Sequence, residues 1–472
     1  MIINYGFWTI IVPLVIIVMA LITREVLSSL LVGIIMGYMV ISHGNIIAAM
    51  HLMCKGIVDI CISPSNIRTM IFIILIGGVV RLIHITHGVI GLANLIITTK
   101  FFVKNKITIQ LLAMCISMLI FVESSINQLV AGISTKHLAR YYGISAAKMA
   151  YIIQTSGISV CSSVMINGWG AAMMGIINIQ ISNGLISGEP FQILTAAMRY
   201  NIMAWLSLLS VLFYIITDVS WGRMKISENI ANQLKNNYSK LESLNKNINY
   251  KIPSTAVWNF FIPIIVIFFI IPIVLFITGN GEFTKGNGSI SVYWSVIIAT
   301  IVSSIWYLMK RILTFEIFFN EIYNGYTSMF KITCVMLLAF LIGKVLNELN
   351  ISVYIADIFV GILPSQFSVV FIFIISSLMS LATGTSWGTF SIMIPIAIQL
   401  GVALNISIDL MIGAAVSGSI FGDMTSPISS DAIIASMATD CNHIEHIKTQ
   451  MPYAMVTAMI AIIIYLYLGY QL

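Results

Sequence analysis

Charge is what this sequence has least of. Asp, Glu, Lys and Arg make up 8% of its 472 residues, while 59% are hydrophobic. A soluble chain of this length needs far more charge to cover its surface. The composition therefore argues against a soluble enzyme and predicts a polytopic membrane protein. No Walker-type glycine-rich loop is present, which disfavours ATP-driven transport. The six cysteines (54, 61, 115, 161, 334 and 441) form no CxxC pair and no metal-ligand spacing, and read as small apolar residues. No basic residue precedes the first apolar run, the first being Arg24, so no cleavable signal peptide is expected. The net charge of +6 comes mostly from residues between apolar runs, where it sets membrane orientation instead of gripping nucleic acid. No cofactor and no nucleic-acid partner are expected, and the oligomeric state is open.

What is present is a series of apolar runs long enough to span a bilayer. They lie near 7–22, 26–42, 69–87, 107–122, 149–180 and 195–216, then near 256–278, 290–309, 332–347, 366–382, 392–421 and 453–470. Between the two sets lies an Asn- and Lys-rich stretch, 218–251, with six Lys or Arg against three Asp or Glu, which places it in the cytoplasm. The expected organisation is an N-terminal transmembrane repeat (1–217), a polar cytoplasmic linker (218–253) and a C-terminal transmembrane repeat (254–472).

The two halves resemble each other. The string from Ile74 to Thr86 matches that from Phe340 to Ser352 at an offset of 266. "SMLIFVESS" (117–125) faces "SLMSLATGT" (377–385) at 260, and "AYIIQTSGISVCSS" (150–163) faces "AAVSGSIFGDMTSP" (414–427) at 264. Paired repeats in a polytopic chain point to a secondary transporter whose site lies at the midplane, where broken helices of the halves meet. The expected fold is all-α, with about ten to twelve transmembrane helices in two inverted repeats containing interrupted helices or re-entrant hairpins.

Four polar clusters interrupt the apolar runs. They are "FVESSINQ" (121–128), "QTSGIS" (154–159), "ATGTSWG" (382–388) and "GDMTSPISS" (422–430). Gly, Ser and Thr let a membrane helix unwind and supply the hard oxygen ligands that Na+ or a polar solute needs. They also let helices approach closely, which is the bland alternative for any one of them. A carboxylate at the bilayer centre costs roughly 3 kcal/mol and so needs a partner or a cavity. Asp423, beside Gly422 and four residues before Pro427, is the expected main cation or proton ligand, with Glu123 beside it in rank and Asp431 a further candidate. Lys344 and Glu348 are spaced to pair with each other. Arg81, His84 and His87 read as structural, and "NHIEH" (442–446) reads as a loop instead of a metal site.

Taken together, "FVESSINQLVAG" (121–132), "ISAAKMAYIIQTSG" with "NGWGA" (144–171), "ATGTSWGTFSIMIPIA" (382–397) and "GDMTSPISSDAIIAS" through "HIEHIKTQMPY" (422–453) resemble the NhaC-type Na+/H+ antiporter family of bacterial secondary transporters. The resemblance implies an ion-coupled carrier of the bacterial inner membrane that exchanges Na+ for H+. Other relatives move amino acids or small organic acids. The matching polar positions are Glu123, Asn127, Thr155, Ser156, Asn167, Trp169, Thr383, Thr385, Ser386, Trp387, Gly388, Asp423, Ser426 and Ser429. Asp423 and Glu123 are the expected ligands of the transported Na+. The chain departs from the family where Ser124, Gln154, Met424 and Ser430 stand in place of titratable residues, and where Ser159 replaces a proline. Asp431 follows Ser430 by one place.

The resulting expectation is a cation-coupled, alternating-access secondary transporter, Na+/H+ antiporter-like, with Na+ or H+ as coupling ion. The rival is a Na+- or H+-coupled carrier of an amino acid or small organic anion, for which the Gln154 amide is expected to face the cavity. An intramembrane aspartyl protease would need GxGD around its second acid, and this chain reads IFGD at 420–423. A passive channel suits broken helices in both halves less well than alternating access does.

Overall fold

In lipid, backbone amides have no water to bond, so apolar runs interrupted by Gly, Ser and Pro must fold as helices that break only where protein or a cavity covers the gap. A computed structural model describes residues 5–88, 90–92, 95, 105–121, 123–244, 254–282, 286–350, 354 and 365–471. Among these residues there are helices and no strand. The first half holds α1 (Trp8–Thr23), α2 (Val26–Ile41), α3 (Ile46–Ile62), α4 (Pro64–Ile85), α5 (Lys106–Leu119), α6 (Ser124–Tyr141), α7 (Ala146–Ser163), α8 (Gly168–Ser182), α9 (Pro190–Met198) and α10 (Ile202–Thr217). A linker helix, α11 (Gly222–Leu244), follows. The second half holds α12 (Trp258–Thr278), α13 (Gly288–Met309), α14 (Phe315–Ser328), α15 (Phe330–Glu348), α16 (Ser365–Thr383), α17 (Ser386–Leu404), α18 (Ile408–Thr425), α19 (Ser430–Thr439) and α20 (His443–Tyr470).

Eight helical stretches among the described residues are long and apolar enough to cross a membrane, or nine if α9 and α10, bent by 44° at their junction, count as one. The shorter apolar helices α1, α2 and α5 complete the set of runs seen in the sequence. Three expectations needed revision. The run at 149–180 is two helices, α7 and α8, and the run at 392–421 divides into α17 and α18. Four further helices, α3, α6, α14 and α19, lie outside the expected runs: Lys55, Asp59, Glu316 and Glu321 break the apolar character of α3 and α14, and α6 and α19 start in polar clusters read as breaks. The linker is helical over α11, with 245–253 outside the described residues.

The repeat is visible in the helix boundaries. Helix α6 and α17 begin 262 residues apart (124 and 386), as do α7 and α18 (146 and 408) and α8 and α19 (168 and 430). The match of α4 with α15 keeps its offset of 266 (64 and 330), but the offsets of 260 and 264 read from the strings are corrected to 262. In this register Glu123 corresponds to Thr385, Ser124 to Ser386, Asn167 to Ser429 and Cys161 to Asp423. The halves interlock: α19 packs on α6 and α7 of the first half, and its counterpart α8 packs on α17 of the second.

The linker helix is anchored to the bundle. Helix α11 packs on α6, α7 and α20. Its Glu228 accepts a hydrogen bond from the Ser145 amide at 2.6 Å, beside Ser145's own cap on α7. Lys148, buried on the first turn of α7, lies 2.7 Å from Asp218 and 3.9 Å from Glu228.

Candidate functional site

Four helix breaks frame the site, between Leu119 and Ser124, Ser163 and Gly168, Thr383 and Ser386, and Thr425 and Ser430. Each leaves a helix N-terminus with unsatisfied amides, and each is capped by the side chain before it: Glu123 on α6, Asn167 on α8, Thr385 on α17 and Ser429 on α19. Gly384 turns the third break in the left-handed region at φ +67°, a conformation glycine adopts without strain. Pro427, which lacks an amide hydrogen, lies within the fourth.

Three carboxylates lie at these breaks, Glu123 and Asp431 at helix N-termini and Asp423 in the last turn of α18, bonded to the first residue of α17. Asp423, near the end of α18, accepts hydrogen bonds at Oδ2 from the Ser386 amide at 3.0 Å and the Ser386 hydroxyl at 2.6 Å. Its Oδ1 accepts from the Ser429 hydroxyl. Glu123 Oε2 accepts from the Ile126 amide at 3.0 Å and its Oε1 from the Ser125 hydroxyl at 3.1 Å. Asp431, in the first turn of α19, accepts from the Ser124 hydroxyl at 3.1 Å, a bond that joins the two halves. The positive ends of α6, α17 and α19 and these donors stabilise charge where lipid would oppose it.

All three acids line one cavity of about 520 Å³. Thr383, Thr385, Trp387 and Gly388 form another part of its wall, and Arg24, Glu25 and Lys331 also reach it. Lys331 lies 2.7 Å from Glu25. Trp387 packs on Trp169 with ring centroids 5.8 Å apart and on Phe390 at 5.6 Å, so a first-half tryptophan backs a second-half wall.

The other expected residues are placed less directly. Ser386 and Ser429 hold Asp423, as above. Asn127 donates to the Cys161 sulfur at 3.3 Å, and Asn167 donates to the carbonyls of Phe121 and Cys161, so both brace the first-half breaks. Ser426 caps the end of α18 without lining the cavity. Thr155 and Ser156 are buried on α7, away from the cavity lining, with hydroxyls that make no side-chain hydrogen bond.

Gln154 requires a correction. It does not line the cavity; it is fully buried and its Oε1 lies 2.7 Å from His446 Nε2 on α20. "NHIEH" is correspondingly no loop: Asn442 caps α20 and His446 sits in its first turn. No group of His, Cys, Asp and Glu suited to a metal is found among the described residues. Lys344 pairs with Asp59 at 2.6 Å, closer than its expected partner Glu348 at 3.9 Å, and Arg81 pairs with Glu321. Sequence reasoning missed Ser124, Ser125 and the His446–Gln154 contact. Ser124 was findable from the correct repeat register, since it corresponds to Ser386.

The His446–Gln154 pair predicts a particular pattern of stability. His446→Leu strands the Gln154 amide, at an expected cost of about 1–3 kcal/mol, whereas the double change to leucine removes both polar groups and restores most of the loss. Melting temperatures in detergent read this directly. A double variant as unstable as His446→Leu alone would contradict it.

Comparison with known proteins places these features. Residues 160–470 match the Na+/H+ antiporter family. An uncharacterized protein of Haemophilus influenzae is 26% identical over 482 aligned positions, covering 98% of this chain and 91% of that protein. Among solved structures, that of Neisseria gonorrhoeae MtrF, described as illuminating a class of antimetabolite efflux pumps, superposes with a TM-score of 0.59 at 12% identity, covering 91% of this chain and 85% of that one. The Alcanivorax borkumensis YdaH transporter, described as having an unusual topology, aligns with a TM-score of 0.48 at 13% identity over 85% of each chain.

Proposed function

From the chain's membership of the Na+/H+ antiporter family, a family of multi-pass secondary transporters, we propose that it is a cation-coupled carrier of a bacterial inner membrane, Na+/H+ antiporter-like, working by alternating access. The observation that carries this reading is the cavity holding Glu123 from one half and Asp423 and Asp431 from the other, each at a helix break. Carboxylates held in a low-dielectric site exchange a proton for a metal cation because the two compete for the same negative charge. Two interlocked halves meeting at broken helices supply the element that opens to each side in turn. Na+ or H+ is the coupling ion, and no bound cofactor takes part. An organic anion as cargo loses its main support, since the Gln154 amide contacts His446 and does not line the cavity.

Reconstitution into liposomes with an internal pH dye tests the proposal. An external Na+ pulse is expected to alkalinise the interior as Na+ enters and H+ leaves. No Na+ entry and no pH change, with or without added solutes, would contradict it.

Glu123→Gln is expected to keep the cap on α6, since an amide oxygen still accepts from Ile126, while removing one charge from the cavity. Apparent Na+ affinity should weaken about tenfold, a loss of about 1.4 kcal/mol. A fall in expression with unchanged Na+ affinity and pH profile would make Glu123 structural only.

A further inference from the structure

We propose that this same cavity accepts a small organic amine, its ammonium group held between the acids and the face of Trp387; the inference rests on the reading of the cavity as the transport site. Its volume, about 520 Å³, falls in the range of small-molecule sites and far exceeds what a bare metal ion fills. Val26, Ile332 and Val335 line it alongside the acids, giving an apolar surface that a hydrated ion does not use and a carbon chain does.

The charge pattern selects the sign. Four acids (Glu25, Glu123, Asp423, Asp431) line the cavity against two bases, Arg24 and Lys331, and Lys331 is already paired with Glu25. The helix N-termini at the breaks, which would otherwise attract a solute's carboxylate, are already capped by side chains of the chain itself. An anion therefore meets no unspent helix end, and acids outnumber bases two to one around it.

A further feature points to a cation beside a ring. Trp387 packs against Trp169 and Phe390 with ring centroids 5.8 and 5.6 Å away, which fixes its ring as a wall of the acidic cavity. A cation over an indole face inside a desolvated, acid-lined cavity is a favourable arrangement for ammonium recognition.

Equilibrium binding of radiolabelled putrescine to the purified full-length protein in detergent tests this. Putrescine is expected to bind saturably, to be displaced by butylamine and by Na+, and to be unaffected by equal concentrations of butyrate or butanol. Trp387→Leu should weaken binding about tenfold and Trp387→Phe, which keeps an aromatic face, no more than about threefold. Size-exclusion profiles and melting temperatures establish that both variants are folded. Na+ binding without any putrescine retention, or displacement by butyrate as effective as by butylamine, would overturn the amine inference while leaving cation transport standing. Putrescine binding in a protein that moves neither Na+ nor H+ would support the inference and overturn the coupled-transport reading.

Discussion

Asp423→Asn is expected to abolish coupled flux, lowering it by about a hundredfold, while the protein remains folded and in the membrane. The side chain keeps its shape. An asparagine oxygen in the place of Oδ2 still accepts from the Ser386 amide and hydroxyl, and its amide nitrogen in the place of Oδ1 meets Ser429, whose hydroxyl rotates to accept instead of donate. The geometry of the two breaks is therefore preserved and only the charge is lost. A transported cation loses a formally charged ligand, worth about 3 kcal/mol of binding, and a proton loses the group that carried it. Flux in proteoliposomes and circular dichroism of the same preparation check both halves of the expectation. Wild-type flux by the variant would remove Asp423 from the mechanism.

Glu228→Ala is expected to cause the largest loss of stability of any single change outside the cavity, about 3 kcal/mol. Glu228 lies on the linker helix, but its carboxylate is buried, bonds the Ser145 amide at the start of α7 and lies near the ammonium of Lys148. Removing it leaves a buried lysine with only the half-exposed Asp218 as counterion and an uncapped amide, and breaking a buried ion pair costs more than the intact pair contributes. Thermal unfolding in detergent measures the loss. The double variant Glu228→Ala/Lys148→Met should recover part of it, because no buried charge is then left unpaired. Stability unchanged in Glu228→Ala would mean that the linker helix is not anchored as described.

Much of the fold was legible because a bilayer imposes a strong pattern: long uncharged runs must be helices, and Gly, Ser and Pro clusters inside them must be breaks. Asp423 stood out for that reason, a lone acid between Gly422 and Pro427 in an apolar context. Helices α3 and α14 were invisible for the converse reason, since their charges at Lys55, Asp59, Glu316 and Glu321 imitate loops, although Asp59 and Glu321 are neutralised by Lys344 and Arg81 from distant segments. The repeat was found but misregistered by two residues, because apolar strings tolerate slippage that helix caps do not. The correct offset of 262 pairs Ser124 with Ser386 and shows that Cys161 stands where the second half has its principal acid. Gln154 was misplaced because its partner, His446, is 292 residues away, and no local pattern reports such a contact.

The most direct test of the central claim, that protons and Na+ compete for the carboxylates of one cavity, is equilibrium Na+ binding to the purified protein across a series of pH values. Because each ligand excludes the other, linkage requires the apparent Na+ affinity to fall as pH is lowered, by up to about tenfold per pH unit for each proton displaced. Saturable Na+ binding that weakens in this way is the result predicted here. Na+ binding of constant affinity at every pH at which the protein stays folded, or no Na+ binding at any of them, would contradict it.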